Sequence, residues 1–267
     1  MSDERPMVLT GAAGALGTWL RPRLIERYGA LRSSDVVDPA PAHAGEELIV
    51  ADLADAAAID RLIAGAGRII HFGAVAYETS FDRINAGNIT GTYNVFEAAR
   101  RHGAGPIVYA SSNHATGFYT REDRMDGRAA HKPDSLYGLS KAFGEDLASL
   151  YCDKYGLDIA CLRIGTAAPV PKEPRHLSTW HSYPDLLRLI EACFAAPKLG
   201  FTVLYGVSNN DRRWWRNDHA PHVAYAPRDN AEYIAAAMLR DGDTRDPEDP
   251  AVKYQGGPFV AEGYVKR

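Results

Sequence analysis

The chain has 267 residues, 46% of them hydrophobic, with a formal net charge of −4 and a pI near 6.1. That length suits one large α/β domain or a domain with a small lobe, and without a Lys/Arg stripe nucleic acid is excluded as a partner. No apolar run approaches the ~20 residues that span a bilayer.

Three cysteines, Cys152, Cys161 and Cys193, show no Cys-x-x-Cys spacing, so they read as reduced and mostly buried thiols, with no metal site expected. No apolar stretch suited to export follows Met1–Pro6, and the expected compartment is the cytoplasm.

Met7-Val8-Leu9 reads as a first strand. It runs into Thr10-Gly11-Ala12-Ala13-Gly14-Ala15-Leu16-Gly17, and a helix follows to about Tyr28. Glycines between strand and helix let the backbone approach a pyrophosphate, and the helix N-terminus supplies N–H donors. The spacing is Gly-x-x-Gly-x-x-Gly rather than the standard Gly-x-Gly-x-x-Gly. Asp35-Val36-Val37-Asp38 is predicted as the second strand, which puts Asp38 at its end, 21 residues after Gly17. An acidic residue there binds the adenosine ribose hydroxyls and repels a 2′-phosphate, favouring NAD over NADP.

Glu47–Val50 is a third strand leading into Ala51-Asp52-Leu53, with a short helix over Ala56–Ala64. Arg68–His71 is a fourth, left through the small residues Gly73-Ala74-Val75-Ala76, where backbone can pass beside a cofactor. Arg83–His102 is a long helix carrying Asn85, Asn88 and Asn94. Asparagine is poor inside a helix, so one of them is expected to distort it or hold water, if they do not simply face solvent.

Ile107–Ala110 is a fifth strand with Ser111-Ser112-Asn113-His114 at its tip, where ligands bind in open α/β sheets. A helix then begins at Asp134 or Ser135 and runs to about Tyr155. On it Tyr137 and Lys141 stand four residues apart and share one face. An ammonium beside a phenol favours the phenolate, a candidate general base, although a surface Tyr packed on a Lys stem gives the same pattern. Ile159–Ile164 is a sixth strand, Pro169–Thr179 a loop with Arg175 and His176, and Ser182 caps a helix to about Ala196. Thr202–Tyr205 is a late strand, Asn209–His222 is irregular, Asp229–Leu239 a last helix and 240–250 a charged loop. Strands alternating with helices imply a doubly wound parallel sheet.

Taken together, Thr10-Gly11-x-x-Gly14-x-x-Gly17, Asp38, Asp52-Leu53, Asn88, Ser112 and Tyr137-x-x-x-Lys141 resemble the extended branch of the short-chain dehydrogenase/reductase superfamily. More specifically, Ala110–His114, Leu136-Tyr137-Gly138-x-Ser140-Lys141, Arg163-Ile164-Gly165, Leu177–Trp180 and Gln255-Gly256-Gly257-x-Phe259-Val260 resemble uronate dehydrogenases.

The resemblance implies a Rossmann fold, with a nucleotide-binding part over about 1–165 and a small substrate lobe from about 166–215 plus the C-terminal segment. It implies NAD as cofactor, held by Gly11, Gly14, Ala15, Leu16, Gly17, Asp38, Asp52, Leu53, Gly73, Ala74, Val75, Lys141 and Ile164. Tyr137 is the implied base, Lys141 holds the nicotinamide ribose and lowers the Tyr pKa, Ser112 bonds the reacting oxygen and Asn88 completes a proton relay. Substrate contacts are implied at Ala76, Ser112, Asn113, His114, Tyr137, Thr166 and Arg175, of which Ala76 and Thr166 stand where the family often has Ser. The implied partner is a free uronic acid in a homo-oligomeric enzyme, and Arg175 is expected to grip its C6 carboxylate through two parallel N–H bonds.

Two rivals remain at this stage. A sugar-nucleotide epimerase or dehydratase needs more room than the 104 residues after Arg163 offer. A dinucleotide-sensing protein without catalysis can dispense with the Tyr/Lys pair.

Overall fold

The computed structural model describes residues 5–236 and 243–265. Its strands are β1 (Met7–Thr10), β2 (Leu31–Asp35), β3 (Glu46–Val50), β4 (Arg68–His71), β5 (Ile107–Ser112), β6 (Ile159–Ile164), β7 (Thr166–Ala167), β8 (Trp180–His181) and β9 (Phe201–Gly206). Seven of them form one sheet in the order β3-β2-β1-β4-β5-β6-β9, and β7 pairs with β8. The pairs β3·β2, β2·β1, β1·β4 and β4·β5 are parallel. This is the doubly wound order, with the reversal between β1 and β4, beside which nucleotides bind at the strands' carboxyl ends.

Strands β1, β5 and β6 are buried at every residue, as central parallel strands must be. The helices are α1 (Ala15–Tyr28), α2 (Ala56–Ile63), α3 (Phe81–Ile84), α4 (Gly91–His102), α5 (Leu136–Tyr155), α6 (His176–Thr179), α7 (Tyr183–Ala195), α8 (Ala231–Ile234), α9 (Pro250–Lys253) and α10 (Pro258–Ala261). Asp55 caps α2 by accepting from the Ala57 and Ala58 amides, and Ser182 caps α7 through Asp185 N at 3.0 Å. Among the described residues no helix is long and apolar enough to cross a membrane.

The elements differ in places from the sequence reading. β2 ends at Asp35, so Asp38 lies beyond it in an exposed turn, where its carboxylate accepts from Ala40 N. Val36 and Val37 suggested strand by their β-branching, but both are exposed. The helix over 83–102 is broken by a π turn at Asn85–Thr90. Of the last helix, Ala231–Ile234 is helical; residues 237–239 of the expected span, and 240–242 of the following loop, lie outside the described residues. The short helix α6 stands within the expected Pro169–Thr179 loop, and α9 begins where the expected charged loop ends.

The chain divides into two compact units. One comprises the residues up to Ala110, Phe143–Cys161 and Lys198–Phe201; the other comprises Ser111–Ala142, Leu162–Pro197 and the residues from Thr202 on. Strands β5, β6 and β9 begin in the first unit and end in the second. In the second unit the irregular stretch around Trp214 and Trp215 is packed: Trp215 stacks on Tyr205 at 4.9 Å within a cluster with Met125 and Val207.

Candidate active site

In the first unit the turn after β1 is shaped by backbone crowding. Gly11 has φ +76°, and a Cβ there would meet the Gly73 amide at 2.7 Å. A Cβ on Gly17 would collide with the Gly11 carbonyl. Only glycine fits either place. Helix α1 starts at Ala15 and Leu16 with Gly14 as N-cap, no side-chain cap and no acidic residue in its first turn. Its N–H groups and positive dipole end therefore suit an anion, and the cradle fits the pyrophosphate of a dinucleotide.

Asp35 closes this turn. Its Oδ2 accepts from Ala13 N at 2.9 Å and its Oδ1 from Val36 N at 2.8 Å. The acidic residue at the end of the second strand is thus Asp35, three places before the one the pattern selected. Leu53 packs against Gly73 and Gly91, Asn94 donates to its carbonyl at 2.8 Å, and Asp52 is exposed. Asn88 is buried in the π turn and reads both main-chain groups of Val75, accepting from its N at 2.8 Å and donating to its O at 3.0 Å. It thereby fixes the Gly73–Val75 segment, and the expected distortion of the helix is what aims it there. Ala74 is half-buried and Ala76 exposed.

The second unit assembles the remaining candidates. Ser135, at the start of α5, accepts from Gly138 N at 2.9 Å and so caps the helix that carries Tyr137 and Lys141. A Cβ on Gly138 would collide with the His114 carbonyl, so this first turn lies directly on the Ser112–His114 segment. Ser112 hydrogen-bonds the Tyr137 hydroxyl and accepts from His114 N at 3.1 Å. The His114 ring meets that of Tyr137 edge-on at 5.7 Å. With its amide oriented to satisfy both neighbours, Asn113 donates to the Ile164 carbonyl at 3.1 Å and accepts from Arg175 Nη2 at 3.3 Å. Arg175 Nη1 donates to Thr166 Oγ1 at 3.1 Å. A continuous chain of contacts thus joins Tyr137, Ser112, Asn113, His114, Thr166 and Arg175, which sequence reasoning had gathered from four separate stretches.

Two electrostatic features differ from expectation. Burial pushes the Tyr137 phenol up to about 12, the Ser112 bond pulling it down and nearby Asp134 adding to the rise. Lys141 Nζ lies 5.6 Å from the Tyr137 ring centroid, and burial pushes its own pKa down to about 7. In the protein alone, desolvation therefore outweighs the expected help from the lysine charge.

Arg175 is buried, and Nε and Nη2 both donate to the Gln255 carbonyl, at 3.1 and 2.6 Å. The two-pronged edge expected to grip a carboxylate is thus partly held by main chain. Among the described residues no carboxylate lies within 4.0 Å of it, and burial pushes its pKa down to about 10. Gln255 went unnoticed in the sequence beyond its motif. Its side chain is pinned by Trp215 Nε1 at 2.6 Å and by the Thr120 and Asp123 carbonyls, which presents its own carbonyl to Arg175.

Residues 7–180 match the NAD dependent epimerase/dehydratase family. A uronate dehydrogenase of Pseudomonas putida is 48% identical over 96% of both chains. The chain belongs to this family, among its uronate dehydrogenases. A mutant uronate dehydrogenase of Agrobacterium tumefaciens, solved in complex with NAD, is 44% identical with a TM-score of 0.92, covering 96% of this chain and 97% of that one. A glucuronic acid dehydrogenase from Chromohalobacter salexigens is 46% identical with a TM-score of 0.93, covering 96% and 97%. The likeness to uronate dehydrogenases thus covers nearly the whole chain, well beyond the 7–180 span of the family match.

Proposed function

We propose that this protein oxidises hexuronic acids such as glucuronate and galacturonate at C1 to the aldarolactone. NAD⁺, bound on the first unit's glycine turn, supplies the hydride acceptor. Tyr137 Oη takes the proton of the C1 hydroxyl, and Ser112 Oγ holds that oxygen as the hemiacetal carbon becomes a lactone carbonyl. Lys141 supports the ribose side, Asn88 fixes the Val75 segment and stands in the relay, and Asp35 meets the adenosine ribose.

The observation that carries the reading is Arg175. Asp134 and Glu173 act on this buried cation only from a distance, and among the described residues no carboxylate pairs with it directly; a uronate carboxylate would supply that contact. Asn113 and Thr166, which share its guanidinium, provide the flanking polar contacts.

NADH formation measured against glucuronate, galacturonate, glucose, galactose and glucose 6-phosphate tests this. Uronates are expected to lead by at least about tenfold in kcat/KM, the worth of roughly one charge-assisted bond. Glucose oxidised as well as glucuronate would overturn it, and a preference for the phosphate would keep the anion and change the substrate class.

The enzyme is read as cytoplasmic, in keeping with three free cysteines. It is read as a homo-oligomer because Leu136, Leu139 and Leu150 stand exposed within about 60° of one another around α5, at ~100° per residue. Light scattering giving a monomer mass would refute that last point.

A further inference from the structure

We propose that Asp134 is a positioning residue for substrate recognition, which fixes the His114 imidazole so that Nδ1 is committed to the protein and Nε2 to the uronate. This rests on the uronate reading above.

The Asp134 side chain is fully buried, and its Oδ2 lies 2.7 Å from His114 Nδ1. Its other oxygen accepts from Ser135 Oγ at 2.8 Å, and Ser135 in turn accepts from Gly138 N at 2.9 Å. One carboxylate thus ties His114 to the first turn of the helix that carries Tyr137. Two backbones close over it: a Cβ on Gly117 or on Gly256 would collide with Oδ2. The carboxylate therefore has no room to swing.

The imidazole is clamped as well. Phe259 stacks on it at 4.0 Å and 18°, and Tyr137 meets it edge-on at 5.7 Å. A carboxylate only accepts, so Nδ1 must carry a proton. The second nitrogen, Nε2, has no protein partner among the described residues, and the side chain keeps 15% of its surface exposed. A histidine whose tautomer is set by a buried acid offers its other nitrogen to a ligand in one fixed direction. An end cap for α5 does not need this arrangement, because Ser135 already supplies the cap.

The test is a double-mutant cycle of Asp134→Asn and His114→Ala, read as KM for glucuronate, kcat and NAD⁺ affinity. Asp134→Asn is expected to raise KM roughly tenfold, to lower kcat less than about threefold and to leave NAD⁺ affinity unchanged. In the His114→Ala background the same change is expected to add nothing, because Asp134 acts through His114. Additive effects, or an unchanged KM in the single variant, would overturn the proposal. Long-range ¹H–¹⁵N NMR of the wild-type protein gives a readout that needs no turnover and no folded Asp134 variant. His114, assigned by its loss in His114→Ala, is expected to show a protonated Nδ1, and a bare Nδ1 refutes the dyad. A wild type inert toward uronates sinks the function reading instead, and the NMR result still decides the dyad.

Discussion

Tyr137 stands between opposing influences: burial and Asp134 raise its pKa, and the Ser112 bond lowers it. With the phenol above the working pH, the fraction ready to accept a proton grows as pH rises. The rate kcat/KM is therefore expected to climb between about pH 6 and pH 9, and Tyr137→Phe to lose that limb together with ~10²–10⁴-fold in kcat. NAD⁺ affinity in that variant should stay, since only the proton acceptor is gone; near-normal turnover in the folded variant would refute the base.

Arg175→Ala is expected to erase most of the preference for glucuronate over glucose, chiefly by weakening uronate use. Arg175→Lys should recover only part of it, because a point charge cannot also bond Gln255, Thr166 and Asn113 as the planar group does. Full selectivity retained by the alanine variant would assign the carboxylate to another cation. Asp35 and Asp38 can be separated in the same way. Asp35→Ala is expected to improve NADP⁺ use relative to NAD⁺ by at least about tenfold, and Asp38→Ala to change little. The reverse result would restore the exposed aspartate to the role its spacing suggested.

At the scale of elements, α5 is positioned by contacts on its first turn rather than by its own helical tendency. Helix propensity alone favours alanine over glycine inside a helix by ~1 kcal/mol. At Gly138 the added methyl would instead collide with the His114 carbonyl. Gly138→Ala is thus expected to lower kcat on the order of 10²-fold, by displacing Tyr137 from Ser112. Thermal unfolding together with kinetics checks it, and a stabilised, fully active variant would show that the turn tolerates the shift. The π turn at Asn85–Thr90 follows the same logic. Asparagines mid-helix signalled a distortion, but which one would turn inward depended on Val75 being there to meet it.

At the scale of the molecule, Lys141 links the site to stability. Its pKa falls from 10.5 to about 7 on burial, so between those values the native state binds fewer protons than the unfolded state. Stability of the free protein therefore rises with pH across that window and is least favoured below about 7. Lys141→Met is expected to stabilise the free protein more at pH 6 than at pH 9, by a difference on the order of 2 kcal/mol. Denaturant midpoints at the two values measure this, and an equal effect at both would mean that the ammonium is better solvated than its burial suggests.

The sequence by itself determined the alternation of strands and helices, the glycine turn, the Ser112-Asn113-His114 tip and the Tyr137/Lys141 face. Each of these depends on local periodicity, on turn chemistry, or on residues within one helical turn of each other. It carried β2 on to Asp38 because two exposed valines mimic a strand, whereas pairing with β1 and β3 ends β2 at Asp35. The tertiary structure alone decided what depends on distant segments meeting. Gln255 reaches across 80 residues so that its carbonyl occupies one edge of the buried Arg175 guanidinium. Asp134, legible only as a helix cap, is made the partner of a histidine 20 residues away by two glycine backbones closing over it. Burial likewise raises the Tyr137 pKa that the neighbouring lysine was expected to lower, because desolvation depends on everything packed around a group, which no local pattern records.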